Sequence, residues 1–140
     1  MKIVLEKAEA EKHFHNALCN GSQIRYYGIH LDYSEKDYKL AKKSLHTKMK
    51  AGTAIDSCGE KMTRICCEDI WMEILRTGGT LIMVDEENAV GDKKITLKDV
   101  HSRVAKTPIH HLMDAIEERD DADTADCIIQ TVFYKKIVFG

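Results

Sequence analysis

Residues 57–76 read as a helix whose apolar side chains occupy most of its circumference. Met62, Ile65, Cys66, Cys67, Ile70, Trp71, Met72, Ile74 and Leu75 wrap most of the way round it at the helical period. A helix apolar on nearly every side must be buried on nearly every side. The segment is therefore either the central helix of the monomer or part of an interface between copies. Ser57 and Glu60 have the spacing of a capping box and predict its start. Gly78-Gly79 predicts its end. On the interface reading, Trp71, Met72 and Leu75 are the side chains that a second copy covers.

The remaining segments supply what such a helix packs against. Residues 4–19 are rich in Ala, Glu and Lys and stop at Asn20-Gly21. Tyr27, Ile29, Leu31 and Tyr33 then alternate with more polar neighbours, as in a half-buried strand within residues 26–33. Ser34 and Asp37 cap a helix reaching about Lys50, with Tyr38, Ala41, Leu45 and Met49 on one face. Residues 80–84 are a short apolar strand, and residues 94–96 return beside it as a hairpin. Thr96 and Asp99 open a helix carrying Leu97, Val100 and Val104, and Pro108 opens another with the stripe Ile109, Leu112, Met113 and Ile116. Asp123 starts a last helix that turns Ile128, Ile129, Val132 and Phe133 inward, and residues 137–140 end as a strand or a docking tail. The sum is a helix-dominated α+β domain over residues 1–140, with about five helices and a small antiparallel sheet.

Composition narrows the class. Hydrophobic residues at 44% and charged residues at 31% fit a soluble globular chain rather than a disordered one. No apolar run approaches the roughly 18 residues a membrane helix needs, so no membrane partner is expected. The N-terminus lacks the apolar core of a signal peptide, which makes the cytoplasm the expected location. Five cysteines, odd in number and without a CxxC pair, predict free and mostly buried thiols in a reducing compartment. Charge is uneven: residues 34–50 carry net +4 and residues 114–140 net −4. Such poles pair within the chain, pair between copies, or steer a charged partner.

Several local patterns bear on chemistry. Residues 96–116 resemble a helix-turn-helix over about twenty positions. However, His101 and Ala105 stand where that motif wants a small residue and a glycine. Its second helix presents His110, His111, Asp114, Glu117 and Glu118, and the carboxylates among them repel phosphate. Two ordinary helices packed at an angle fit better. Lys36, Lys39, Lys43 and Lys50, with His46, line the outer face of the second helix and form a candidate surface for nucleic acid or another anionic partner. That stripe holds no arginine or stacking aromatic, and a solvated outer face is its simpler account. His110, His111 and Asp114 are candidate metal ligands by spacing alone, weighed against a hydrated polar face. Cys58, near a predicted helix start, is a candidate reactive thiol weighed against an incidental cysteine. Asp120, Asp121, Asp123 and Asp126 lack the spacing of a calcium loop and complement a helix N-terminus.

There is no phosphate loop, nucleophile elbow or dinucleotide fingerprint. The expectation is a non-enzymatic interaction or assembly protein without cofactor, whose partner is another copy of itself. A nucleic-acid-associated accessory protein using the lysine face is the alternative, followed by a small metal-dependent enzyme at His110, His111 and Asp114.

Overall fold

The apolar helix is shorter than its composition suggests, and it lies inside the monomer. The computed structural model describes residues 2–21 and 28–139. Tyr26 and Tyr27, expected in the first strand, lie outside the described residues. Six α-helices and three strands are present among those described: α1 Lys7–Asn20, β1 Ile29–Asp32, α2 Glu35–Ala51, α3 Cys67–Arg76, β2 Leu81–Asp85, β3 Lys93–Ile95, α4 Leu97–Arg103, α5 Ile109–Ile116 and α6 Ala122–Tyr134. The fold is α+β and dominated by helix, with a small antiparallel sheet, as the sequence predicts.

α3 begins ten residues later than the spacing of Ser57 and Glu60 predicts. The reason is local. Asp56 Oδ1 accepts from the backbone N–H groups of both Cys58 and Glu60, each at 2.9 Å, and so holds a turn where a helix would need those donors. Gly59 completes that turn at φ +83°, a conformation unfavourable for any residue with a side chain. The chain becomes helical only at Cys67, where Asp69 Oδ2 accepts from Cys66 N at 2.8 Å and closes the capping box.

The core forms where α1 and α6 pack together, with α3 and the sheet alongside. Ala10, Phe14, Ala17 and Leu18 give α1 an apolar face at helical spacing, all at most 7% exposed. The rings of Phe14 and Phe133 lie 6.3 Å apart across the α1–α6 contact. Ile128, Ile129, Val132 and Phe133 all point inward, and Asp121 rather than Asp123 caps α6 through Thr124 N at 2.9 Å. The sheet has the order β1-β2-β3, antiparallel throughout, with Leu31 opposite Met83 and Leu81 opposite Ile95. Leu81, Met83 and Asp85 alternate inward along β2. Asp85 closes the turn to β3 by accepting from Val90 N at 2.6 Å and Gly91 N at 2.9 Å. The C-terminal segment is a docking tail, not a strand: Gln130 Oε1 accepts from Val138 N and Phe139 N, each at 2.8 Å.

Met72 and Leu75 are 0% and 1% exposed within one chain, so neither presents surface to a second copy. Trp71 is half-buried against the same core. Of the three expected interface residues, two are therefore core residues of the monomer. Replacing Met72 by Ala is expected to lower the unfolding free energy by about 2–5 kcal/mol. Urea titration at two protein concentrations checks this. The loss should be the same at both, because the cavity opens inside one chain.

Candidate functional site

α5 is where the structure departs most usefully from its sequence. The sequence gives α5 the apolar stripe Ile109, Leu112, Met113 and Ile116. Only Leu112 and Ala115 are buried. Ile109 is 50% exposed, Met113 37% and Ile116 38%. At 100° per residue these three share one side of the helix, beside the buried pair. The apolar arc is wider than the groove that α5 fills against α6, so its outer half faces solvent. Asp114 and Glu117 border it, and both pair with Arg119 Nη2, at 3.3 and 2.5 Å.

α2 presents the opposite charge. Lys36, Lys39, Lys43 and Lys50 are all exposed. Lys39 pairs with Glu35 at 2.9 Å; the other three make no ion pair among the described residues. Leu40 stands within this lysine face at 51% exposure. α2 leans on α3, whereas α5 leans on α6, so the two charged poles belong to different parts of the fold.

The expected metal ligands do not converge. No group of three His, Cys, Asp or Glu side chains able to hold a metal ion exists among the described residues. The His110 and His111 rings lie 4.1 Å apart, His111 Nδ1 is 3.3 Å from Thr124 Oγ1, and Asp114 belongs to Arg119. His101 is engaged elsewhere, 2.8 Å from Glu11. The thiols are also not where composition predicts. Cys19, Cys58, Cys66 and Cys67 are exposed and Cys127 is half-buried, all of them free. Cys58 sits in the Asp56 turn, with no helix start beneath it. Asp120 accepts from Asn16 Nδ2 at 2.7 Å, and Asp121 caps α6, so that acidic run serves the fold.

Sequence reasoning missed a charged cleft. It has a volume of about 730 Å³, within the range of small-molecule sites. α1, α2, α3 and residues 53–59 line it. Glu73 of α3 is 0% exposed and lies at its floor. Its Oε2 accepts from Ser44 Oγ and from Lys48 Nζ, each at 2.6 Å. Its Oε1 has no hydrogen-bond partner, and Arg76 Nη1 stands 3.8 Å away. At that separation the guanidinium offsets the buried charge as an ion pair rather than through a hydrogen bond. Arg76 Nε donates to Glu11 Oε1 at 2.8 Å, and His101 Nε2 donates to Glu11 Oε2 at 2.8 Å. Burial pushes the Glu11 carboxyl upward, but the hydrogen bonds from Arg76 and His101 outweigh it and hold the group below its ordinary range. A chain of ion pairs and hydrogen bonds thus runs from α2 through α3 and α1 to α4. Glu73 was illegible because it sits inside the apolar run of α3 and its partners lie far away in sequence.

A second buried pair lies nearby. His15, 1% exposed, donates from Nε2 to Asp69 Oδ1 at 2.8 Å. Burial lowers the His15 pKa below its ordinary 6.5, against the pull of Asp69. Protonation would also place an N–H on Nδ1, which is buried and has no acceptor. Neutral His15 is therefore the folded form, and Asp69 joins α1 to the first turn of α3.

No protein-family model, curated protein or solved structure matches this chain.

The depressed pKa of His15 has a consequence for stability. Its contribution is complete above 6.5, the ordinary value, and is lost as the pH falls toward the lower folded value. His13, also lowered by burial, acts in the same direction, and Glu11 adds a further loss below 4.5. The melting temperature should therefore fall between pH 7 and pH 5. His15→Gln keeps a donor for Asp69 without titrating, so it should flatten that slope while His13 preserves part of it. An unchanged slope in thermal melts across the window would contradict the assignment.

Proposed function

We propose that this chain is a non-enzymatic assembly protein that binds further copies of itself head to tail. The observation that carries this reading is the exposed row Ile109, Met113 and Ile116 on a helix whose other side is buried. A monomer leaves scattered apolar side chains in water, but a contiguous row on one helix face marks a contact surface. Its complement is the lysine face of α2, which carries Leu40 among Lys36, Lys39 and Lys43. The net −4 of residues 114–140 meets the net +4 of residues 34–50, and complementary poles steer and register such a contact. Because the two surfaces differ, the contact is heterologous and repeats from copy to copy.

The nucleic-acid reading rests on a separate observation, the exposure of Lys36, Lys39, Lys43 and Lys50 together. It expects affinity for any duplex that falls steeply with salt. Replacing all four by Glu should abolish duplex binding in a filter or anisotropy assay; unchanged binding rejects this surface.

Self-association is tested by light scattering on a sizing column over a range of concentrations, at low and high salt. The mass should rise with concentration, and more so at low salt. Met113→Asp and Leu40→Asp should each weaken association roughly tenfold or more. Mixed together, the two variants should form one-to-one pairs and no longer chains, since each keeps one intact half of the contact. A mass that stays monomeric at every concentration, or an oligomer that survives both substitutions, defeats the reading.

A further inference from the structure

Two contacts between α1 and α3 fix how those helices run past one another. Glu11 meets Arg76 and His15 meets Asp69, each at 2.8 Å. Moving forward along α1 therefore moves backward along α3. One turn beyond His15 stands Cys19, and three residues before Asp69 stands Cys66, the N-cap of α3. The next rung of the ladder is a pair of thiols. Both line a second, smaller cleft of about 490 Å³, together with Ser57, Met62 and Arg64. Among the described residues they are the two thiols that line it, and both are exposed and free. The two sulfurs are not equivalent. The Cys66 side chain takes part in the capping box that opens α3, facing the N–H of Asp69. Partial burial pushes the Cys19 thiol up to about 11, with Glu68, Asp69 and Cys66 adding to the rise and a hydrogen bond from Ser57 opposing it. Cys66 is thus close enough for its charge to act on Cys19.

We propose that Cys19 and Cys66 form an oxidative modification site that closes to a disulfide when the chain meets hydrogen peroxide. The Cys66 sulfur attacks one peroxide oxygen and the O–O bond breaks. The departing hydroxide takes the thiol proton and leaves as water, and Cys66 becomes a sulfenic acid. The Cys19 sulfur then attacks the Cys66 sulfur and the S–O bond breaks. The hydroxyl leaves with the Cys19 proton as a second water. Two thiols lose two electrons and one peroxide gains them. A thiol reductant reverses the step by exchange, so the site is a reversible switch. Cys67 is a poor partner for Cys66, because neighbouring Cα atoms lie about 3.8 Å apart, closer than a disulfide ordinarily spans. The bridge adds a covalent rung beside His15 and Asp69, ties the end of α1 to the start of α3, and closes β1 and α2 into a loop. It makes no use of the α5 and α2 surfaces and stands or falls independently of self-association.

The test treats the reduced full chain with hydrogen peroxide at low protein concentration, followed by peptide mapping without reductant. A bridge between the Cys19 and Cys66 peptides should form within one chain, at least about tenfold faster than any other pairing. Its rate should not change with protein concentration. Cys19→Ser should leave a sulfenic acid on Cys66 that dimedone labels. Cys66→Ser keeps a hydroxyl at the N-cap of α3 and so preserves the fold, and it should abolish the bridge. The bridged chain should melt roughly 5 °C or more above the reduced chain, and dithiothreitol should restore the lower value. No bridge, a bridge from Cys66 to Cys58 or Cys67 in place of Cys19, or one that forms only between chains would each overturn the proposal. So would an unlabelled Cys66 in Cys19→Ser, or a bridged chain that melts no higher than the reduced one, since the bridge would then not fit the native spacing of the helices.

Discussion

The carboxylate of Glu73 is the constraint on which the helical layer depends. A charge at 0% exposure loses its hydration, and only close partners make its burial tolerable. Those partners come from elsewhere in the chain. Ser44 and Lys48 reach it from α2, while Arg76, one turn along α3, passes the contact on to Glu11 of α1 and thence to His101 of α4. Four helices are tied by one connected set of polar and charged groups. The tie matters most for α2. Of its 17 residues only Ala41 and Leu45 are buried, so apolar packing alone specifies its rotation weakly. Two donors on one edge of α2, closing on a fixed oxygen of α3, set that rotation directly. Lys48 keeps 41% of its side chain in contact with solvent, so the pair forms at the rim of the core, where the desolvation of the ammonium is incomplete.

Asp69 performs the matching task at the other end of α3. One oxygen accepts from His15 and the other from Cys66 N, so the residue that starts the helix also binds it to α1. Both acids lie on the helix that carries the apolar run Ile70, Trp71, Met72, Ile74 and Leu75. The apolar pattern brings α3 to the centre of the molecule, and the two carboxylates fix where along α1 and α2 it comes to rest. Burial and specificity are thus supplied by different residues of the same ten-residue segment.

This division explains what was legible in the sequence. Strands β2 and β3, the face of α2 and the inward residues of α6 follow from period and capping, which are local signals. The start of α3 was misplaced because Asp56 spends its side chain on two backbone donors, and such capture leaves the pattern of apolar residues unchanged. The α5 stripe was legible as an apolar face, but periodicity reports how wide such a face is, not how much of it a neighbour covers. Leu112 and Ala115 fill the available groove, and the outer three side chains remain outside. The cleft was invisible for a further reason. Its floor pairs Glu73 with Ser44, 29 positions away, and Arg76 with Glu11, 65 positions away. No window of sequence contains it, although an isolated Glu within an apolar helical run is a sign that a partner must exist.

The interior and the surface meet on α2. Ser44 and Lys48 lie on the edge of that helix that faces Glu73, whereas Lys36, Lys39, Lys43 and Lys50 lie outward. These two sets are fixed relative to one another by the helical period, so holding the first holds the second. A rotation of α2 by one residue would carry Lys48 away from the buried carboxylate and turn Leu40 and its lysines toward a different part of the solvent. The array of positive charge on the outer face of α2 is therefore oriented in part by the buried Glu73 carboxylate. The cleft shares that dependence, since Lys48 and Leu45 belong to its lining.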